Sequence, residues 1–189
     1  MRLFVALSIS AEVRENLTRL LNELRHVDSR PRWVNPDNLH VTVKFIGNVR
    51  DQQAPKIKDA LLKVGTPVAI SLEVRGIGFF PNDRRPAVIW AGIQAPPELP
   101  TLAQRVQQAL TACGIPAETR PYAPHLTLAR FKEPRLSEPL RAVIAKFDEQ
   151  VFGRQISTEF HLMESKTKAT GAEYTTLHSF PFTTEGTQQ

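Results

Sequence analysis

The sequence predicts an α+β fold of two lobes related by a pseudo-twofold axis, each with a mainly antiparallel sheet and helices, around a central cleft. Three observations predict it. The order strand, helix, motif strand, helix, strand occurs twice along the chain. The motif strand carries the same pattern both times, as His40-Val41-Thr42-Val43 and as His125-Leu126-Thr127-Leu128. No low-complexity linker separates the two halves, so the lobes are expected to pack tightly as one domain over 1–189. The sequence halves run roughly 1–83 and 84–189, and the lobes are expected to interleave.

The elements follow from periodicity and punctuation. Leu3 to Ile9 alternates as a first strand, and Ala11 to Arg25 follows as a helix. Ser10 suits its N-cap, and Val13, Leu17, Leu20, Leu21 and Leu24 recur at helical spacing. Arg30 to Trp33 and Asn35-Pro36-Asp37-Asn38 are loop and turn chemistry. Leu39 to Ile46, β-branched and aromatic, is a strand closed by Gly47. Ala54 to Val64 reads as a helix, and Val68 to Phe80 as a strand bent at Gly76 and Gly78. In the second half, Ala87 to Ile93 is a strand and Leu102 to Ala112 a helix that Gly114 can end. His125 to Phe131 is the second motif strand, and Pro139 to Phe147 a helix with proline in its first turn. Ile156 to Ser165 and Tyr174 to Phe182 are the last strands, joined by the basic loop Lys166 to Gly171. The closing Thr-Glu-Gly-Thr-Gln-Gln is polar and expected to fray.

Bulk properties bound the function. Apolar residues at 41% and charged residues at 23% are ordinary globular values, so wholesale disorder is excluded. Lys and Arg outnumber Asp and Glu by 24 to 19, which favours anionic partners but is common elsewhere too. The single cysteine, Cys113, rules out an intramolecular disulfide and fits a reducing compartment; it reads as a buried small apolar residue. No apolar run approaches the roughly 20 residues needed to span a bilayer. Met1 to Ser8 alternates like a strand and is too brief for a signal peptide. A soluble, cytoplasmic, monomeric protein is expected, with no membrane partner.

The repeated motif carries the chemistry. Residues two apart on a strand share a face, so His40 sits beside Thr42, and His125 beside Thr127. Val41, Val43, Leu126 and Leu128 turn to the opposite face and can enter the lobe cores. Two facing His-Thr pairs suit phosphodiester cleavage without a metal or cofactor. One imidazole can be neutral and act as base while the other is protonated and acts as acid, each transfer contributing about 10²- to 10⁴-fold. Threonine hydroxyls can donate to the non-bridging phosphate oxygens.

One His-x-Thr on a strand is more often structural; two in equivalent places of a repeated topology favour function. A zinc site is the next competitor, but the motifs offer one ligand per strand, with no Cys pair and no His-x-x-x-His spacing. His26, His161 and His178 read as structural or surface residues. A Gly-rich phosphate loop, a dinucleotide fingerprint and a Gly-x-Ser-x-Gly elbow are all lacking.

These residues resemble the two-histidine phosphoesterase superfamily, and within it the RNA 2′,3′-cyclic phosphodiesterases, also called 2′–5′ RNA ligases. The resemblance runs through Arg2 to Leu7, Trp33 to Gly47, Ala87 to Gly92, Pro124 to Arg130, Glu164-Ser165 and Gly171 to Tyr174. It implies hydrolysis of a terminal 2′,3′-cyclic phosphate to a 2′-phosphomonoester. It further implies His40 as proton donor to the leaving 3′ oxygen, His125 as the base that activates water, and Thr42 and Thr127 on the phosphate. On sequence grounds alone the two histidine roles are exchangeable. The implied partner is RNA with a cyclic phosphate end, or a small cyclic nucleotide such as ADP-ribose 1″,2″-cyclic phosphate. Ligation is the same chemistry with a ribose 5′ hydroxyl replacing water, and a binding module without turnover is the rival from another class.

Arg130 lies five residues after His125, so an unbroken strand points it away from the histidine face and a bulge brings it back. The resemblance favours a phosphate role for it; a rim salt bridge is the alternative. Trp33, Phe45 and Tyr122 are candidates to stack a base, although Phe45 shares parity with Val41 and Val43, which favours the core. Arg30, Arg32, Lys44, Arg84, Arg85, Arg120, Lys132, Lys166 and Lys168 are candidates for an RNA path, most of them expected to be solvated surface.

Overall fold

A computed structural model describes residues 1–169 and 171–183. They form nine strands in one curled antiparallel sheet, backed by four helices. In chain order these are β1 (Arg2–Ser8), α1 (Ala11–Val27), β2 (Arg32–Trp33), β3 (His40–Asn48), α2 (Ala54–Leu61), β4 (Ile70–Phe80) and β5 (Val88–Gln94). Then come α3 (Glu98–Thr111), β6 (His125–Arg130), α4 (Glu138–Ile144), β7 (Val151–Ser157), β8 (Glu159–Lys168) and β9 (Gly171–Pro181). No helix among the described residues is long and apolar enough to cross a membrane.

The sheet runs β7-β4-β5-β6-β3-β1-β8-β9, with β2 added to β6. It is two half-sheets that meet where β3 pairs with β6 at Val41 and Leu126. The two-lobed arrangement expected from the repeat is the one observed. β4, the last strand of the first repeat, pairs with β5 of the second, while β8 returns to pair with β1.

α1 forms as its sequence dictates. The Ser10 hydroxyl accepts from the Val13 N–H at 3.2 Å, and Glu12 and Arg25 sit at the ends the helix dipole favours. Val13, Leu17, Leu20, Leu21 and Leu24 are buried, each side chain contributing about 1.5–3 kcal/mol of transfer free energy. The helix packs against α4 and β7, approaching β7 closely at Gly153, where a Cβ would lie 2.9 Å from Val13 Cγ2. On the other half-sheet α3 packs against β3 and α2.

Several elements differ from expectation. Ile156 to Ser165 is two strands in different half-sheets, because the chain crosses between lobes at Thr158. Arg32 and Trp33, expected in a loop, pair with Arg130 and Ala129. The expected loop at Lys166 is largely strand: the β8–β9 ladder continues to Lys168 and Gly171. The bend expected near Gly76 and Gly78 is a bulge between Arg75 and Ile77. Cys113 is half-buried rather than buried. The fraying expected of the closing six residues lies outside the described residues.

Candidate active site

The pairing of Val41 with Leu126 arranges the site. Both side chains are fully buried, so the residues on either side of them face the cleft. In this antiparallel register His40 stands opposite Thr127, and Thr42 opposite His125. Directly opposed side chains start about 4.5–5.5 Å apart and diagonal ones about 7–8 Å apart. The two imidazoles are therefore diagonal neighbours with a hydroxyl beside each, a frame sized for one phosphate.

Each histidine is held in the same way. His40 Nδ1 lies 2.7 Å from the Asn38 carbonyl, and His125 Nδ1 lies 2.8 Å from the Ala123 carbonyl. A carbonyl only accepts, so Nδ1–H donates in both rings and Nε2 is left for the cleft. Aromatic rings fix the planes. His40 packs beside Phe4, at 4.8 Å between centroids, and edge-on to Tyr174 at 5.2 Å. His125 stands edge-on to Phe80 at 4.9 Å. Burial holds both imidazoles below their ordinary titration range, opposed by the carbonyl contacts. The charge of Arg130 lowers both further, and His125 adds to the lowering of His40.

Two matching bulges decide what else reaches the cleft. In β3 the register steps from Lys44↔Val5 to Thr42↔Ala6, leaving Val43 as the extra residue. In β6 it steps from Ala129↔Ile89 to Thr127↔Trp90, leaving Leu128 as the extra residue. An extra residue reverses the alternation beyond it. Ala129 is accordingly buried, and Arg130 returns to the histidine face, exposed.

The bulge in β3 overturns two expectations. Phe45 is not a core residue: it is 53% exposed on the cleft face, 6.4 Å from Phe4 between ring centroids. Lys44 is not on an open RNA path: it is 7% exposed, and its Nζ donates to the Pro116 carbonyl at 3.1 Å. Phe45 and Arg130 occupy equivalent positions, five residues after each motif histidine.

Of the other aromatic candidates, Tyr122 spends its hydroxyl on the Thr42 carbonyl at 3.0 Å, and burial pushes its phenol well above the usual range. Trp33 donates its indole N–H to the Asp28 carbonyl at 2.8 Å. Arg30 is engaged by the Asp28 carboxylate, with Nη2 at 2.6 Å from Oδ2. Arg32, Arg84, Arg85, Arg120, Lys132, Lys166 and Lys168 are exposed. His26 is exposed and His178 half-buried against Phe180. His161 is buried with Nδ1 2.9 Å from Ser179 Oγ, yet it borders a pocket that His40 also lines. Ser8 and Arg14 border that pocket too. Nothing local in the sequence marks them, because the sheet register alone places Ser8 opposite His40.

A curled sheet presenting two His-Thr pairs on adjacent central strands defines a phosphoesterase of the two-histidine class. The LigT-like phosphoesterase profile matches residues 7–90 and 93–172, and the chain belongs to that family. Among its relatives, the RNA 2′,3′-cyclic phosphodiesterase of Archaeoglobus fulgidus is 34% identical over 181 residues, covering 95% of this chain and 99% of that protein. The enzyme of the same name from Methanothermobacter thermautotrophicus is 31% identical over 182 residues, covering 95% and 97%. In structure, TT0787 of Thermus thermophilus superposes with a TM-score of 0.81 at 28% identity, covering 98% of this chain and all of the other. Escherichia coli LigT complexed with 3′-AMP superposes with a TM-score of 0.79 at 26% identity, covering 97% and 98%.

Proposed function

We propose that this chain hydrolyses the 2′,3′-cyclic phosphate at an RNA 3′ end to a 2′-phosphomonoester. The observation that carries the reading is the matched pair of Nδ1–carbonyl contacts, which leaves both Nε2 atoms free on one cleft. The activity printed in the relatives' names supports the choice of substrate. His125 Nε2 takes a proton from water as the water oxygen attacks phosphorus. The P–O3′ bond breaks, and protonated His40 gives its Nε2 proton to O3′. Thr42, Thr127 and Arg130 bind the phosphate oxygens, where charge grows in the transition state. Attack by a ribose 5′ hydroxyl in place of water, with the same P–O3′ bond breaking, is 2′–5′ ligation.

Burial and the Arg130 charge keep both imidazoles easily deprotonated in the free enzyme. A bound phosphate anion offsets the Arg130 charge and raises both, so substrate binding helps protonate the acid. Both His-Thr pairs come from one chain, which supports a monomer as the working unit, and one cysteine in 189 residues fits the cytoplasm.

The test is hydrolysis of a cyclic-phosphate oligonucleotide in EDTA. Turnover is expected to persist, and His40→Ala and His125→Ala each to lower kcat by at least about 10²-fold, the lower end for proton transfer. Loss on chelation with rescue by a divalent metal, or full turnover in either variant, overturns the mechanism.

A further inference from the structure

The pseudo-twofold symmetry breaks beside His40. On β1, Ala6 lies between Thr42 and His161, and Ser8 opposes His40. At the equivalent places on β5, Trp90 lies between Thr127 and Gly78, and Gly92 opposes His125. The indole of Trp90 sits so close to Gly78 that a Cβ there would lie 2.1 Å from Cζ2. Beside His125, then, the sheet face is filled by an indole. Beside His40 the corresponding residue is an alanine, and the face is open.

The opening is a cavity of about 230 Å³ bordered by Ser8, Arg14, Asn38, His161 and Thr176, with His40 on the wall it shares with the cleft. That is space for roughly seven waters, enough for a phosphodiester group with its flanking carbons. Its cation is Arg14, whose Nη1 donates to the Pro36 carbonyl at 2.7 Å. Among the described residues the Arg14 guanidinium is in no ion pair. Asp37 also borders the cavity but is exposed.

We propose that this cavity binds the 5′ phosphodiester of the terminal nucleotide through Arg14, so that the enzyme prefers an RNA end to a free cyclic nucleotide. The inference rests on the reading above, in which His40 protonates O3′. In a ribose 2′,3′-cyclic phosphate, C4′ and its 5′ substituent adjoin C3′, whereas the base-bearing C1′ adjoins C2′. The imidazole that protonates O3′ therefore stands on the side from which the 5′ chain departs. On that side the cleft is open and holds a cation. On the His125 side Trp90 narrows it, which suits the attacking water.

The experiment compares kcat/KM for the adenylyl dinucleotide bearing a terminal 2′,3′-cyclic phosphate with that for adenosine 2′,3′-cyclic phosphate. The dinucleotide is expected to be favoured by about tenfold, the lower end for a charge-assisted contact at a half-exposed guanidinium. Replacing the internucleotide phosphate by a neutral methylphosphonate is expected to bring that ratio close to one. Arg14→Gln is expected to do the same with the natural dinucleotide, and Arg14→Lys to restore part of the preference. Equal kcat/KM for the two natural substrates, a ratio indifferent to the methylphosphonate, or a ratio unchanged in Arg14→Gln overturns the assignment. If neither substrate turns over, the phosphodiesterase reading itself fails, and the subsite fails with it.

Discussion

Replacing Arg130 by glutamine removes one positive charge from the cleft face of β6 while keeping a polar side chain of similar reach. The bulge at Leu128 puts the guanidinium on the same face as His125 and Thr127. Among the described residues no carboxylate holds it in an ion pair, so it is available to an anion. A charge-assisted contact to phosphate contributes about 1.5–3 kcal/mol, or roughly 10- to 150-fold in kcat/KM. Arg130 is exposed, so a loss near tenfold is expected. The pH profile carries the sharper information. The rate of the free enzyme rises with pH as His125 loses its proton and falls as His40 loses its own. Burial is the main cause of both lowered values and is unaffected by the substitution, whereas the Arg130 charge is removed. Protonation becomes easier at both rings, so both limbs are expected to move to higher pH while staying below the ordinary imidazole value of about 6.5. The assay is kcat/KM against pH for wild type and Arg130→Gln on one cyclic-phosphate substrate. Limbs that do not move would show that Arg130 does not act on the imidazoles, and a fall in rate below twofold that it does not act on the phosphate.

Thr42→Val and Thr127→Val remove one donor each and keep a β-branched shape, so kcat/KM is expected to fall about 10- to 150-fold with the pH profile unchanged in form. Unchanged affinity for a 2′-phosphomonoester product in both variants would end the phosphate-binding role. Phe45→Ala is expected to raise KM about 5- to 150-fold if the ring stacks a base, with little change in urea midpoint because the side chain is half out of the fold. A KM within twofold of wild type excludes stacking. Asp28 is buried and held far below the usual carboxylate range, chiefly by the Arg30 hydrogen bond and then by Ser137. Because its folded value is depressed, its contribution is present above about pH 4 and lost on further acidification. Asp28→Asn is therefore expected to cost about 1.5 kcal/mol in urea denaturation at pH 7, the low end because Arg30 is largely exposed, and progressively less below pH 4. An equal cost at pH 7 and pH 3 would refute the ionic account.

What the sequence determined by itself is what depends on neighbours along the chain. The 3.6-residue period and the Ser10 cap specify α1, and the two-residue period puts His40 with Thr42 and His125 with Thr127. Repetition of that pattern makes two His-Thr pairs on one cleft legible in the sequence. The tertiary structure decided what depends on a partner strand. Whether Val43 and Leu128 are extra residues is a matter of how β3 and β6 count against β1 and β5, and that count turns Phe45 and Arg130 into the cleft and Lys44 out of it. The split of Ile156 to Ser165 is of the same kind, since strand alternation says which face a residue takes but not which half-sheet receives the strand. So is the cavity beside His40. Ala6 and Trp90 become counterparts only once their strands have paired with Thr42 and Thr127, because sheet hydrogen bonds join residues far apart in sequence.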